Sequence, residues 1–99
     1  MMTLEQIAAN PSTVVVDVRS TLEYNSGHIT GALNIPVDQL PARLQDINGL
    51  GKNPVIFYCR SGNRSGSAVA YLQQQGYNNV YNGGSLEAML YYVKGATYA

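Results

Sequence analysis

Pro54–Ser67, PVIFYCRSGNRSGS, is the stretch that indicates the fold most directly. Pro54–Tyr58 is apolar throughout, which is typical of a central strand in a parallel sheet, buried on both faces. Cys59 follows at once, and the next residues are small, polar and rich in glycine, as in a loop. Helical patterning resumes over about Arg64–Gln75, and Gly76 ends it. A strand, a loop and a helix in this order predict an α/β fold.

The rest of the chain alternates in the same way. Further short strands are predicted at Val14–Val16, Ala32–Ile35 and Asn79–Tyr81. Further helices are predicted at Thr3–Asn10, Thr21–Ser26, Pro41–Ile47 and Ser85–Tyr92. Two capping-box patterns mark helix starts, Thr3 with Gln6 and Ser20 with Glu23. We expect Gly83 and Gly84 to turn the chain after the last strand, and the tail from Lys94 to be loosely held.

Composition bounds the function. The chain has 99 residues, enough for one domain, and 45% of them are hydrophobic. A net charge of zero argues against nucleic-acid binding, and no apolar run is long enough to cross a membrane. One cysteine and one histidine exclude an intrachain disulfide and a cysteine-clustered metal site, so we expect no metal and no cofactor. Nothing resembles a signal peptide, so the chain as it stands would be cytoplasmic; a chain whose signal had been removed would be periplasmic.

Cys59 is placed where a thiol becomes reactive. The glycine-containing loop can turn successive N–H groups towards one anion, and the following helix presents its N-terminus there. Arg60 and Arg64 flank the site, and no acid is near them in sequence. Such surroundings lower the pKa of a thiol and keep it as thiolate, which needs no separate general base. The prediction is a nucleophilic cysteine that attacks sulfur or phosphorus.

The sequence resembles the rhodanese sulfurtransferase superfamily, in its small single-domain bacterial form. The segments that carry the resemblance are Asp17-Val18-Arg19, Glu23-Tyr24, Gly27-His28-Ile29, Gly31-Ala32, Asn34-Ile35-Pro36, Tyr58–Ser65, Gly76-Tyr77, Asn79-Val80 and Gly83-Gly84. Their order and spacing agree over about residues 14–90. The resemblance implies one rhodanese domain over residues 1–99, with about five parallel strands and helices on both faces.

The resemblance also implies a reaction. Cys59 would take sulfane sulfur from a donor such as thiosulfate and pass it from a persulfide to a thiophilic acceptor, typically cyanide. The residues implied to bind the substrate or persulfide are Arg60, Ser61, Gly62, Asn63, Arg64 and Ser65, with Arg64 the first choice for the donor's oxyanion. The partners would be small molecules, or a protein or thiol as acceptor.

Four other residues are expected to support the structure rather than react. Asp17 and Arg19 end a strand and would tie it to neighbouring loops. Glu23 would complete the capping box and could pair with Arg19, and His28 would be a hydrogen-bonded residue of a turn. Many rhodaneses carry an aromatic residue shortly after the paired glycines. Here Leu86 and Met89 stand there, so the pocket wall would be aliphatic or use Tyr91 or Tyr92.

Two other functions stay open at this point. The chain could be a persulfide carrier or a protein-interaction module with a different donor. Phosphatases of the Cdc25 kind and arsenate reductases also use a thiolate with an arginine. The Cdc25-like loop, however, has five residues between cysteine and arginine, whereas four separate Cys59 from Arg64. The shorter loop favours a sulfur atom over a phosphoryl group.

Overall fold

The computed structural model describes residues 2–93 and contains four α-helices and four strands in that range. The helices are α1 (Leu4–Ala9), α2 (Thr21–Asn25), α3 (Asn63–Gln74) and α4 (Leu86–Tyr92). The strands are β1 (Val14–Asp17), β2 (Leu33–Asn34), β3 (Val55–Cys59) and β4 (Val80–Ser85). Each was predicted to within a few residues. The predicted loose tail from Lys94 lies outside the described residues.

The strands form one parallel sheet in the order β2-β1-β3-β4. β3 lies between β1 and β4, and all five of its residues are buried. This confirms the α/β architecture; four strands are present where about five were expected. Because parallel strands all point the same way, Cys59 lies at the carboxyl end of the sheet, one residue beyond Tyr58, which pairs with Asp17 at the end of β1.

The two faces of the sheet are covered by different elements. Side chains alternate along β3, so Phe57 and Cys59 pack towards Leu72 of α3, while Ile56 and Tyr58 pack with Met89 of α4. Helices therefore flank both faces, as the resemblance implied. The cysteine belongs to the α3 face, which places its sulfur beside the start of that helix.

Both capping boxes are present. The Thr3 hydroxyl accepts the Gln6 N–H and the Gln6 side chain accepts the Thr3 N–H. Ser20 and Glu23 exchange the same pair of hydrogen bonds. α1 and α2 have six and five residues. Helices this short depend on satisfied end groups and on packing, since they gain little from their own hydrogen bonds.

Two local predictions are wrong. The segment predicted as one helix over Pro41–Ile47 forms two 3-10 helices, Val37–Ala42 and Leu44–Asp46. The N–H groups of Arg43, Asp46 and Ile47 donate to the carbonyls three residues earlier, which is the 3-10 pattern, and Arg43, with a φ of −125°, separates the two turns. The paired glycines do not turn the chain but continue β4. Phe57 pairs with Asn82 and Tyr58 with Gly84, so Gly83 is the extra residue of a bulge.

We expect Gly83→Ala to lower the free energy of unfolding by about 1–3 kcal/mol. A Cβ at Gly83 would collide with the Met89 sulfur and lie 2.7 Å from the Ile56 side chain, both of which are buried. Urea unfolding measures the change. Gly66→Ala is the control, because a Cβ there lies 3.4 Å from its nearest neighbour, the Asn82 amide nitrogen, and because alanine favours α3 over glycine. Equal stability of Gly83→Ala and the wild type would show that the bulge tolerates a side chain.

Candidate active site

Cys59 ends β3 and has no exposed surface. Its Sγ accepts a hydrogen bond from the Gly62 N–H at 3.0 Å and lies 3.3 Å from the Ser65 hydroxyl. Gly62 has a φ of 95°, a left-handed conformation that glycine adopts readily, and it immediately precedes α3. This turn brings the loop back towards Cys59, so Gly62 and Ser65 lie beside its sulfur.

The surroundings of Cys59 favour the thiolate. Burial raises the pKa of the thiol, but several hydrogen bonds outweigh it and lower the pKa to about 7. They come from the Ser65 side chain and from the backbone of Ser65, Ser61 and Gly62. Hydrogen bonds to the charged form of a group always act in this direction. The surroundings therefore favour a nucleophilic thiolate that needs no neighbouring base.

Arg64 is ion-paired, contrary to the expectation that no acid neutralises the loop arginines. Its two terminal nitrogens donate to both oxygens of Glu23 at 2.7 and 3.0 Å. Glu23 is 41 residues earlier in the chain than Arg64. The two residues meet because α2 and α3 both begin at the carboxyl end of the sheet, where Cys59 lies. The expected pairing of Glu23 with Arg19 is wrong: Glu23 caps α2 and binds Arg64, while Arg19 binds Asp17.

Arg60, in contrast, is exposed and forms no ion pair within residues 2–93. It lines an open cleft of about 360 Å³ beside the loop. The other lining residues are Arg19, Glu23, Ser26, Ser85, Leu86 and Glu87. Leu86 thus supplies the aliphatic part of the wall, whereas Met89 is buried in the core on the opposite face and Tyr91 does not line the cleft.

Asp17 and Arg19 form a buried ion pair at the end of β1. Arg19 donates to both Asp17 oxygens, at 2.6–3.0 Å, and to the Gly27 carbonyl at 2.7 Å. Its guanidinium lies 5.7 Å from the centre of the Tyr58 ring. Burial raises the pKa of Tyr58, whose hydroxyl accepts the Ile29 N–H. These contacts tie β1, β3 and the turn after α2 together, which is the supporting arrangement expected of Asp17 and Arg19.

His28 packs on α2. Its ring stacks on Tyr24 at 3.5 Å, and Nδ1 lies 2.9 Å from the Tyr24 carbonyl. Both contacts fit a residue that holds a turn. Of the remaining loop residues, Ser61 and Asn63 are exposed, and Asn63 begins α3.

Sequence reasoning missed Asn82. Its side chain binds the Ser65 hydroxyl, the Gly62 carbonyl and the Gly84 N–H, all within 3.1 Å. The one signal available was a polar residue directly before the paired glycines, which lie in the strand that pairs with β3 as far as Cys59. Asn82 connects the loop to the sheet.

Comparison with known proteins assigns the family. The Rhodanese-like domain family matches residues 2–88, so the chain belongs to that family. A sulfurtransferase of Allochromatium vinosum is 40% identical over 78 residues, which are 79% of this chain and 71% of that protein. The tRNA uridine(34) hydroxylase of Pectobacterium atrosepticum is 37% identical over 82% of this chain, but this chain spans only 24% of that protein's length.

Solved structures agree with the assignment. A rhodanese with anions from E. coli superposes with a TM-score of 0.72 at 33% identity, over 77% of this chain and 89% of that one. A rhodanese-related protein from Thermoplasma volcanium gives a TM-score of 0.75 at 26% identity, over 96% and 94% of the two chains. Within residues 2–93, three or more histidine, cysteine or acidic side chains nowhere gather as metal ligands would. None of the described helices is long and apolar enough to span a membrane.

The ion pair between Glu23 and Arg64 predicts a pH dependence of stability. The hydrogen bond from Arg64 lowers the pKa of Glu23 from 4.5 to about 2. A carboxylate with a lowered pKa in the folded state stabilises the fold above its unfolded pKa and loses this effect as the pH falls through the folded one. We therefore expect the wild type to exceed Glu23→Gln in free energy of unfolding above about pH 4.5, and the difference to vanish towards pH 2.

Urea unfolding of both proteins over this pH range measures the difference. Asp38→Asn serves as the control, because Asp38 is exposed and forms no ion pair within the described residues. A gap between wild type and Glu23→Gln that stays constant down to pH 2 would contradict the assigned ion pair.

Proposed function

We propose that this protein is a sulfurtransferase that carries sulfane sulfur as a persulfide on Cys59. The observation that carries the proposal is the geometry of Cys59: a buried sulfur that accepts the Gly62 N–H, lies 3.3 Å from the Ser65 hydroxyl and has a pKa lowered to about 7. A thiolate in that position is a soft nucleophile that suits attack on sulfur. The named sulfurtransferase relative and the rhodanese fold support the same reaction.

The reaction has two displacements. In the first, the Cys59 thiolate attacks the outer sulfur of thiosulfate, a new S–S bond forms, and sulfite leaves with the electrons of the broken S–S bond. In the second, the acceptor attacks the outer sulfur of the persulfide; cyanide gives thiocyanate, and the Cys59 thiolate is restored. No proton transfer is needed, since both the attacking and the leaving sulfur at Cys59 are anionic. The loop N–H groups, with Gly62 foremost, would stabilise the negative charge in both states.

Mass spectrometry tests the persulfide directly. After incubation with thiosulfate, we expect the intact protein to gain the mass of one sulfur atom and to lose it on addition of cyanide. Cys59→Ser is the control and should gain nothing, because Cys59 is the one cysteine of the chain. An unmodified wild type, or an equal gain in Cys59→Ser, would refute the proposal.

We propose that Arg60 binds the oxyanion of the donor. The resemblance made Arg64 the first choice, but both of its terminal nitrogens donate to Glu23. Arg60 lines the cleft beside the loop and forms no ion pair within residues 2–93. A guanidinium can donate two parallel hydrogen bonds to a sulfonate-like group. Arg64 would then hold α2 to the loop, and bind the donor only where its remaining N–H reaches it.

We expect Arg60→Ala to raise the KM for thiosulfate by about tenfold, which corresponds to the loss of one exposed charge-assisted hydrogen bond. The kcat at saturating donor should change less, since Cys59 keeps its own hydrogen bonds. Steady-state kinetics with cyanide as acceptor measure both constants. Arg43→Ala is the matched control, because Arg43 pairs with Asp46 on a 3-10 segment that does not line the cleft. An unchanged KM in Arg60→Ala would show that this cation does not bind the donor.

A second candidate function is favoured by one comparison. The hydroxylase relatives contain a region similar to this chain as about a quarter of a longer protein, so such domains also occur inside larger enzymes with another named activity. A persulfide carrier that receives sulfur from a protein would keep Cys59 but turn over slowly with thiosulfate. Trapping of mixed disulfides with Cys59 distinguishes the two, and rapid thiosulfate turnover argues against the carrier.

The length of the loop disfavours phosphatase chemistry. Four residues separate Cys59 from Arg64, and this short loop suits one added sulfur atom better than a phosphoryl group with three oxygens. Hydrolysis of an aryl phosphate by the wild type and not by Cys59→Ser would reverse this preference.

A further inference from the structure

Asn82 of β4 contacts the loop through both ends of its side-chain amide. Oδ1 accepts the Ser65 hydroxyl at 2.7 Å and the Gly84 N–H at 2.9 Å, and Nδ2 donates to the Gly62 carbonyl at 3.1 Å. A backbone N–H can only donate and a carbonyl can only accept. The orientation of the amide is therefore set by Gly84 and Gly62, and its oxygen faces Ser65.

The Ser65 hydroxyl has one hydrogen and two neighbours that can accept it. Asn82 Oδ1 lies at 2.7 Å and Cys59 Sγ at 3.3 Å. While Asn82 takes that hydrogen, Ser65 can only accept at the sulfur, which suits a neutral thiol that donates its S–H. A thiolate has no hydrogen to offer. Ser65 can stabilise it only when the hydroxyl turns away from Asn82.

We propose that Asn82 is a positioning residue that competes with the Cys59 thiolate for the Ser65 hydrogen and so raises the pH at which the thiol ionises. With the neutral thiol, Cys59 donates to Ser65 and Ser65 donates to Asn82. With the thiolate, the thiol proton has gone to solvent and Ser65 donates to Sγ. Asn82 Oδ1 then keeps only the Gly84 N–H.

Charged groups also face this site from the neighbouring elements. Arg60 belongs to the loop, Arg64 lies on α3 and acts electrostatically on Cys59, and Glu23 reaches Arg64 from α2. Asp17 and Arg19 form their ion pair at the end of β1. None of them is hydrogen-bonded to Ser65 or Asn82. Variants at Ser65 and Asn82 therefore change the partners of the thiol and leave these ion pairs in place.

The consequence for sulfur transfer rests on the proposed function. In a persulfide the negative charge lies on the outer sulfur, and the inner Sγ is bonded to two atoms and needs no hydroxyl hydrogen. Ser65 can then donate to Asn82 again. Asn82 thus stabilises both the neutral thiol and the persulfide relative to the free thiolate. Because transfer of the sulfur to the acceptor regenerates the thiolate, Asn82 favours the persulfide form of the protein.

Thiolate absorbance in the ultraviolet, followed against pH, tests the proposal without any sulfur donor, so a failure of sulfur transfer would not affect it. The single cysteine makes the signal specific, and Cys59→Ser supplies the baseline. We expect the wild-type midpoint at about pH 7 or above, since the pKa of about 7 includes a hydrogen bond that Ser65 donates to the sulfur and Asn82 competes for that hydrogen. Asn82→Ala should lower the midpoint by about one pH unit, since Ser65 is freed for the thiolate, and Ser65→Ala should raise it by a similar amount.

The double variant separates positioning from mere support of the loop. In the Ser65→Ala background, Asn82→Ala should leave the midpoint unchanged, because no hydroxyl remains to be freed. If Asn82 only held the loop, its loss would weaken the loop hydrogen bonds and raise the midpoint in both backgrounds. A raised or unchanged midpoint in Asn82→Ala, or an equal lowering in both backgrounds, overturns the proposal.

Two further variants keep the test decisive. Asn82→Leu retains the side-chain size without polar atoms and replaces Asn82→Ala in the test if the alanine variant folds poorly. It should lower the midpoint by the same amount. Asn79→Ala removes a similar amide just before β4 that binds the Tyr81 hydroxyl instead of Ser65. Its midpoint should equal that of the wild type, and a lowering equal to that of Asn82→Ala would overturn the proposal.

Discussion

β3 lies between β1 and β4, and its parallel hydrogen bonding to both strands leaves no residue from Val55 to Cys59 exposed. The side chains of β3 alternate between the α3 face and the α4 face, so the strand contributes to the hydrophobic cores on both sides of the sheet. Its last residue comes to lie where β1 and β4 also end. The Cys59 sulfur thus lies where the carboxyl ends of three strands meet, beside Gly62 and Ser65.

A buried anion at that junction requires compensation. Backbone N–H groups and the Ser65 hydroxyl supply it locally, and they lower the pKa of the thiol although burial alone would raise it. The Arg64 guanidinium stabilises the thiolate less than its position in the sequence indicates, because the Glu23 carboxylate balances its charge. The site stabilises its anion mainly with oriented dipoles, which add no net charge and which suit a reaction in which the charge only moves from one sulfur to the next.

The distribution of charge along the chain acquires a structural meaning in this arrangement. Residues 1–46 carry five acids and two bases, whereas residues 47–86 carry three bases and no acid. The fold brings these two segments together at the carboxyl end of the sheet, where Glu23 of the first segment binds Arg64 of the second. Arg60 lines the cleft beside the loop and forms no ion pair within the described residues.

Local patterns were enough to predict the strands, the capped helices and Cys59 as the candidate nucleophile. Each depends on neighbours in the chain: the apolar run Val55–Tyr58, the boxes at Thr3 and Ser20, and the loop that follows a buried strand. The partner of Arg64, the bulge at Gly83 and the role of Asn82 could not be predicted in this way. They arise from contacts between residues 17 to 41 positions apart, and the register of β4 on β3 sets two of them. Short-range periodicity specifies which residues form an element, but the pairing of elements in space selects which side chains share a hydrogen bond.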